Sequence, residues 1–160
     1  MSHIIFNRND DWETPIQYWE IIEPFIPNNL TINDPFFMNG NARNWWKILN
    51  RDIIHENKDF FSIKKSTNAE IYVSSPPYSI FNKVLKHLFY LDKAFVMLIP
   101  INKLGQIKLQ RIIKPYHIQI IISPIYTGFI DRNGEKTKCP SQYFCFMCWK
   151  LNLEKDFIII

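Results

Sequence analysis

Apolar positions recur along the chain in two rhythms, one helical and one extended. Ile16, Trp19, Ile22 and Phe25 share one face at helical spacing and predict a helix over 16–25. Thr14 stands where a cap belongs, Pro15 suits a first turn, and Pro24 and Pro27 close the segment. Asn41 to Leu49 predicts a second helix with Trp45, Trp46 and Leu49 facing inward. Ser79 to Tyr90 predicts a third, whose stripe is Phe81, Val84, Leu85, Leu88 and Leu91. Between them, short β-branched runs predict strands at Leu30–Ile32, Asp52–Glu56 and Glu70–Ser74. Ala94 to Ile99 is apolar without alternation, as in a strand buried on both faces. A helical or irregular piece over 103–113 leads to two more strands, His117–Ile122 and Tyr143–Leu151. Gly128 and Asp131-Arg132-Asn133-Gly134 supply turn chemistry between those two.

Strands alternating with helices and finishing in a strand hairpin predict one α/β domain over 1–160, a mostly parallel open sheet with a C-terminal antiparallel hairpin. Ligands of such sheets sit beyond the carboxyl ends of the strands. Asp34, Glu56, Asp59 and Ser75-Pro76-Pro77-Tyr78 all fall at predicted strand ends. The apolar end, Phe157-Ile158-Ile159-Ile160, suits pairing within the sheet or with a second chain.

Composition narrows the classes. With 47% hydrophobic and 16% aromatic residues among 160, the chain carries enough apolar side chain for a single core and is not a disordered protein. Four glycines argue against a glycine-rich nucleotide loop. A net charge of +4 permits a polyanionic partner. No apolar run reaches the ~20 residues of a membrane span, and the opening MSHIIFNRNDDWETP turns acidic too soon for a secretory signal. The expectation is a cytoplasmic protein. Cys145 and Cys148 have the gap of a zinc knuckle, but no second pair accompanies them and YFCFMCW reads as a buried strand. Buried, reduced thiols are expected.

Chemistry concentrates at Ser75-Pro76-Pro77-Tyr78. Two prolines remove two backbone donors and hold the chain extended, so neighbouring carbonyls can point at a ligand. An aromatic ring directly after this stiff step offers a surface for stacking a planar base. Methyl transfer to an exocyclic amine has these needs, because acceptors must hold the amino hydrogens while the methyl group approaches in line.

These residues resemble the amino-methyltransferases that carry an Asn/Asp/Ser-Pro-Pro-Tyr motif, and among them the small phage and viral DNA N6-adenine methyltransferases. The similarity covers roughly the first two-thirds of the chain. It implies a Rossmann-like class I methyltransferase domain, S-adenosylmethionine as cofactor, nucleic acid (DNA first) as partner, and Ser75, Pro76, Pro77 and Tyr78 as catalytic residues. Asp11-Trp12-Glu13-Thr14-Pro15 is similar to the family's Asp-x-Trp-x-Thr-Pro element, which implies contacts from Trp12, Thr14 and Pro15 to the methionine part of the cofactor. Asp34, Pro35, Phe36 and Gly40 stand at the first cofactor motif. Glu56 falls where an acid binds the ribose hydroxyls, and Asp59-Phe60-Phe61 where the cofactor adenine is held.

Three departures matter. Phe36 and Phe37 replace the usual glycine pair, leaving only Gly40. Ser75 replaces Asn or Asp, a choice also found in N4-cytosine methyltransferases. No separate target-recognition domain fits within 160 residues, so sequence specificity is expected to come from loops or from a partner subunit, or to be nearly absent, and a homodimer or partner subunit is the expected assembly. Cytosine N4, an RNA adenine and a protein glutamine amide are alternative targets of the same machinery. A degenerate methyltransferase fold serving as a binding subunit is the alternative outside catalysis.

Overall fold

The computed structural model of the protein describes residues 12–123, 128–131, 133–136 and 143–160. Seven strands, β1 (Ile32–Asn33), β2 (Ile53–Ile54), β3 (Ile71–Ser74), β4 (Ala94–Pro100), β5 (Ile118–Ile122), β6 (Phe144–Trp149) and β7 (Phe157–Ile159), form one sheet in the order β2-β1-β3-β4-β6-β5-β7. The pairs β1/β2, β1/β3, β3/β4 and β5/β7 are parallel, while β6 runs antiparallel to both β4 and β5. The expected antiparallel hairpin is β5 with β6, and β6 also pairs antiparallel with β4, so it is inserted between β4 and β5. The apolar C-terminus pairs within the chain, as β7.

Alternation along the strands sorts the core into two layers. Tyr72, Phe95, Met97, Ile99, Cys145 and Met147 face α3 (Phe81–Leu91) and α4 (Ile107–Ile113). Ile71, Val73, Val96, Leu98, Phe146 and Cys148 face α1 (Ile16–Ile22) and α2 (Ala42–Ile48). The result is a sheet between two helical layers. The stripe read from α3 is buried as predicted, each large side chain contributing about 1.5–3 kcal/mol. Asp92, in the left-handed region at φ 59°, ends that helix.

Two local expectations need correction. Thr14 does not cap α1, because Pro15 occupies the cap in extended conformation (φ −68°, ψ 151°) without a side-chain cap. The helix proper also stops at Ile22, and Glu23–Phe25 continue as a 3-10 turn around Pro24. Cys145 and Cys148, three apart on β6, point to opposite faces of the sheet and cannot ligate one ion together. Cys139 lies outside the described residues.

Arg51, buried after α2, stitches the irregular 23–30 segment to the domain. Its guanidinium donates to Glu23, to the Asn28 side chain and to the carbonyls of Ile26, Pro27 and Leu30 at 3.1–3.3 Å.

The topology fixes where a ligand belongs. From β1 the chain crosses to β2 on one side, then returns to β3 on the other side of β1. Carboxyl ends diverge at such a reversal and leave a crevice. Asp34 follows β1, and Ser74-Ser75 end β3.

Candidate functional site

Asp34 is the centre of that crevice. Its backbone N–H donates to the Ile54 carbonyl at 3.0 Å, which extends the β1–β2 ladder by one residue and fixes the direction of the side chain. The Ser74 hydroxyl donates to Asp34 Oδ1 at 2.5 Å, and the Phe36 N–H adds a longer bond at 3.4 Å. Oδ2 has no partner among the described residues. Burial pushes the Asp34 carboxyl up to about 6, against the opposing pull of His55 and of the two hydrogen bonds. The Asp34 carbonyl lies 2.8 Å from His55 Nδ1, and a carbonyl only accepts, so Nδ1 carries the proton. His55 Nε2 is buried with no hydrogen-bond partner among the described residues.

The loop from Asp34 to α2 is short and tightly turned. Gly40 N–H donates to the Phe37 carbonyl at 2.7 Å, with Met38 at φ 42° and Gly40 at φ 83°. A Cβ at position 40 would stand 3.0 Å from Phe37 Cζ. One glycine therefore provides the sharp turn of this loop, in which Phe36 and Phe37 stand in place of a glycine pair. The Phe37 ring stacks on His55 at 4.9 Å between centroids.

Glu13 ties the N-terminal segment to this loop. Its carboxylate accepts from Asn39 Nδ2 at 2.7 Å, Asn41 Nδ2 at 2.9 Å and Trp45 Nε1 at 2.8 Å. Its backbone exchanges two hydrogen bonds with Ile130. Between these elements lies a cleft of about 360 Å³ including its open mouth, with Trp12, Trp19, Trp45, Phe36, Asp34 and Ser75 among its walls. Among the described residues, no cluster of three His, Cys, Asp or Glu side chains forms a metal site.

No family model matches the chain, and no curated protein matches it. Among solved structures it resembles a protein of Listeria monocytogenes described as a candidate class I S-adenosylmethionine-dependent methyltransferase. The match has 12% identity and a TM-score of 0.50, and covers 94% of this chain and 65% of that one. The fold is that of the class I methyltransferases. The chain spans about two-thirds of the length of that neighbour.

Within this methyltransferase fold the sequence-derived residues fall into three groups. Trp12, Thr14, Asp34, Phe36 and Ser75 line the cleft. Pro15, Pro35 and Pro76 are buried directly beside lining residues, Pro77 is buried one residue further on, and Gly40 shapes the turn between Phe37 and α2. Tyr78 meets the cleft through Ser75, its hydroxyl 2.9 Å from Ser75 Oγ. Its ring lies 6.1 Å from Phe144, and Lys103 Nζ donates to its carbonyl at 2.9 Å. The third group stands off the lining. Glu56 is exposed and paired with Lys58 at 2.8 Å. Asp59 Oδ1 accepts from Phe61 N–H at 3.1 Å and caps the 3-10 turn Phe60–Ser62. Phe60 is fully buried, and reaches the cleft only through Phe36, 5.0 Å away between centroids.

Sequence reasoning did not single out Ser74, Glu13, Trp19 or Trp45 as site residues. Ser74 ends a β-branched run, and Trp19 and Trp45 sit in helical stripes, so each reads as core until the sheet order is known.

Proposed function

We propose that the chain is an S-adenosylmethionine-dependent methyltransferase acting on the exocyclic amine of a nucleobase, adenine N6 in DNA. One observation carries the reading. The buried Asp34 carboxylate is hydrogen-bonded to Ser74, the residue directly before Ser75-Pro76-Pro77-Tyr78, so the acid at the end of β1 stands in one cleft wall with Ser75, the first residue of the proline-stiffened aromatic step.

The residues present fit such a cofactor. Trp19 Nε1 is buried in the cleft wall with no hydrogen-bond partner among the described residues, a donor that a methionine carboxylate would satisfy. Asp34 Oδ2 is an acceptor for the ammonium group. Aromatic faces of Trp12 and Trp45 favour a cationic ligand. When bound, the sulfonium supplies an electrophilic methyl group. The chain's own part is positioning. Tyr78 offers a ring for stacking the target base, and a duplex target must be flipped out to reach it. The Ser75 hydroxyl and the Pro76 carbonyl are the acceptors that hold the amino hydrogens. The amine proton leaves to water after transfer, so the reading needs no general base. Glu56 and Asp59 are assigned to the ribose and adenine of the cofactor, and Phe60 supports Phe61 and Phe36 from the core.

Ser75 favours a second target, cytosine N4, because serine also opens the motif in the N4-cytosine methyltransferases that this step resembles. Incubating the chain with methyl-labelled cofactor and oligonucleotides, followed by nucleoside analysis, tests both. Label in N6-methyladenine supports the proposal, and label in N4-methylcytosine supports the second target. No label, together with no cofactor binding, contradicts catalysis and leaves the binding-subunit alternative.

A further inference from the structure

The chain's basic surplus is concentrated in one stretch. Residues 93–130 hold five of the nineteen Lys and Arg residues and none of the fifteen Asp and Glu, so the rest of the chain carries one net negative charge. Lys93 lies beside Glu70 and Asp92, both of which it draws toward the charged form, so it belongs to an ion cluster at the far end of α3.

Of the remaining four cations, Lys103, Lys108 and Arg111 lie on the 3-10 turn and the helix that follow the carboxyl end of β4, while Lys114 stands at the far end of that helix. Lys103, in the 3-10 turn Ile101–Gly105, donates to the Tyr78 carbonyl at 2.9 Å. That turn docks on α4, where Gln110 Nε2 donates to the Leu104 carbonyl at 3.0 Å. Lys108 and Arg111, one helical turn apart, share an exposed face of α4 while Leu109 faces the core. Neither they nor Lys103 forms an ion pair among the described residues. By contrast, Lys65 lies over the Tyr90 ring at 5.1 Å. Tyr90 is nine residues down α3 from Phe81, about 14 Å along the helix from the Tyr78 end. Lys64 and Lys65 thus sit away from the site.

We infer that Lys103, Lys108 and Arg111 form the track on which the phosphodiester backbone of a DNA strand lies, with Lys103 marking the point where a base turns toward Tyr78. The inference rests on the methyl-transfer reading only for what the bound strand is there to present. Charge complementarity itself is independent of the cofactor. A cationic ridge without an ion-pair partner among the described residues releases counterions when it meets phosphates, and that release gives a salt-dependent affinity. Bidentate arginine and point-charge lysine on one helix face suit successive phosphates.

Fluorescence anisotropy with a labelled 20-nucleotide single strand, across a salt series, tests the track. Wild type should bind, with log affinity falling linearly in log salt. Lys108→Gln/Arg111→Gln should lose about tenfold in affinity at low salt, and its slope should shrink by about 1.4, or ~0.7 per phosphate contact. Lys64→Gln/Lys65→Gln should match wild type. Equal losses in the two double variants, no binding of DNA, or equal competition by polyglutamate would overturn the inference. Preference for RNA of the same sequence would reassign the strand. Cofactor calorimetry on the same proteins separates the two proposals. DNA binding lost in Lys108→Gln/Arg111→Gln without cofactor binding by any variant keeps the track and refutes the methyltransferase.

Discussion

Ser74 Oγ lies 2.5 Å from Asp34 Oδ1 and joins the carboxyl ends of two adjacent parallel strands at the point where the strand order reverses. The contact spans 40 residues of sequence. It holds a carboxylate out of water next to the Ser-Pro-Pro-Tyr step, and most of the site's expected behaviour follows from it.

The first consequence concerns pH. Burial raises the Asp34 pKa from 3.8 to about 6 in the folded chain. The folded state therefore holds this proton more tightly than the unfolded state. The associated stability is fully present below about pH 4 and is lost as pH rises through 6, on the order of 3 kcal/mol in all. Asp34→Asn removes this dependence. Urea unfolding of both proteins at pH 4.5 and pH 7 should show the variant gaining relative to wild type at the higher pH. A pH-independent difference would mean that the carboxyl is not held in the buried environment described.

The second consequence concerns Ser74. Ser74→Ala removes the shorter of the two hydrogen bonds to Oδ1 and should destabilise the chain by about 1–3 kcal/mol. It should also raise the pH at which Asp34 ionises, because less remains to favour the charged form. Chemical-shift titration of the Asp34 carboxyl carbon in both proteins checks this, with the midpoint expected to move upward.

Gly40 is the next test. At φ 83°, with Phe37 Cζ 3.0 Å from where a Cβ would be, Gly40→Ala meets both backbone strain and a close contact. A cost of about 1–2 kcal/mol is expected from the backbone alone. Thermal melting should report it, and weaker cofactor binding should accompany it because the turn carries the Phe36–Asn39 wall.

How much of this was readable in the sequence depends on the range of the forces involved. β3 was legible from the β-branched run that ends at Ser74, and β4 because a strand buried on both faces needs an unbroken apolar run, which Ala94–Ile99 supplies. The α3 stripe was legible for the same local reason. The place of β6 between β4 and β5 was not, because pairing partners are set by long-range packing that no local pattern encodes. Asp34 and the Ser-Pro-Pro-Tyr step stood out by their chemistry at strand ends. Ser74 and Glu13 did not, since each acquires its role from partners 40 and 26–32 residues away. Thr14 looked like a cap but lines the cleft, because extended Pro15 takes the capping position.

The thiols offer a check on the sheet itself. Burial pushes the Cys145 thiol up to about 12, and Cys148, more deeply enclosed and close to Cys145, higher still. With Cys139 replaced by Ser, the native chain should react with a thiol reagent at pH 8 far more slowly than the denatured chain, which should release two equivalents. Fast native reaction would place β6 at an edge instead of inside the sheet.

The most direct measurement is calorimetric titration of S-adenosylmethionine into the wild-type chain and into Asp34→Ala at pH 7.5. The account predicts micromolar binding by the wild type, loss of at least tenfold in the variant, and near-wild-type binding by Tyr78→Ala. No binding by the folded wild type, or equal binding by Asp34→Ala, would contradict it.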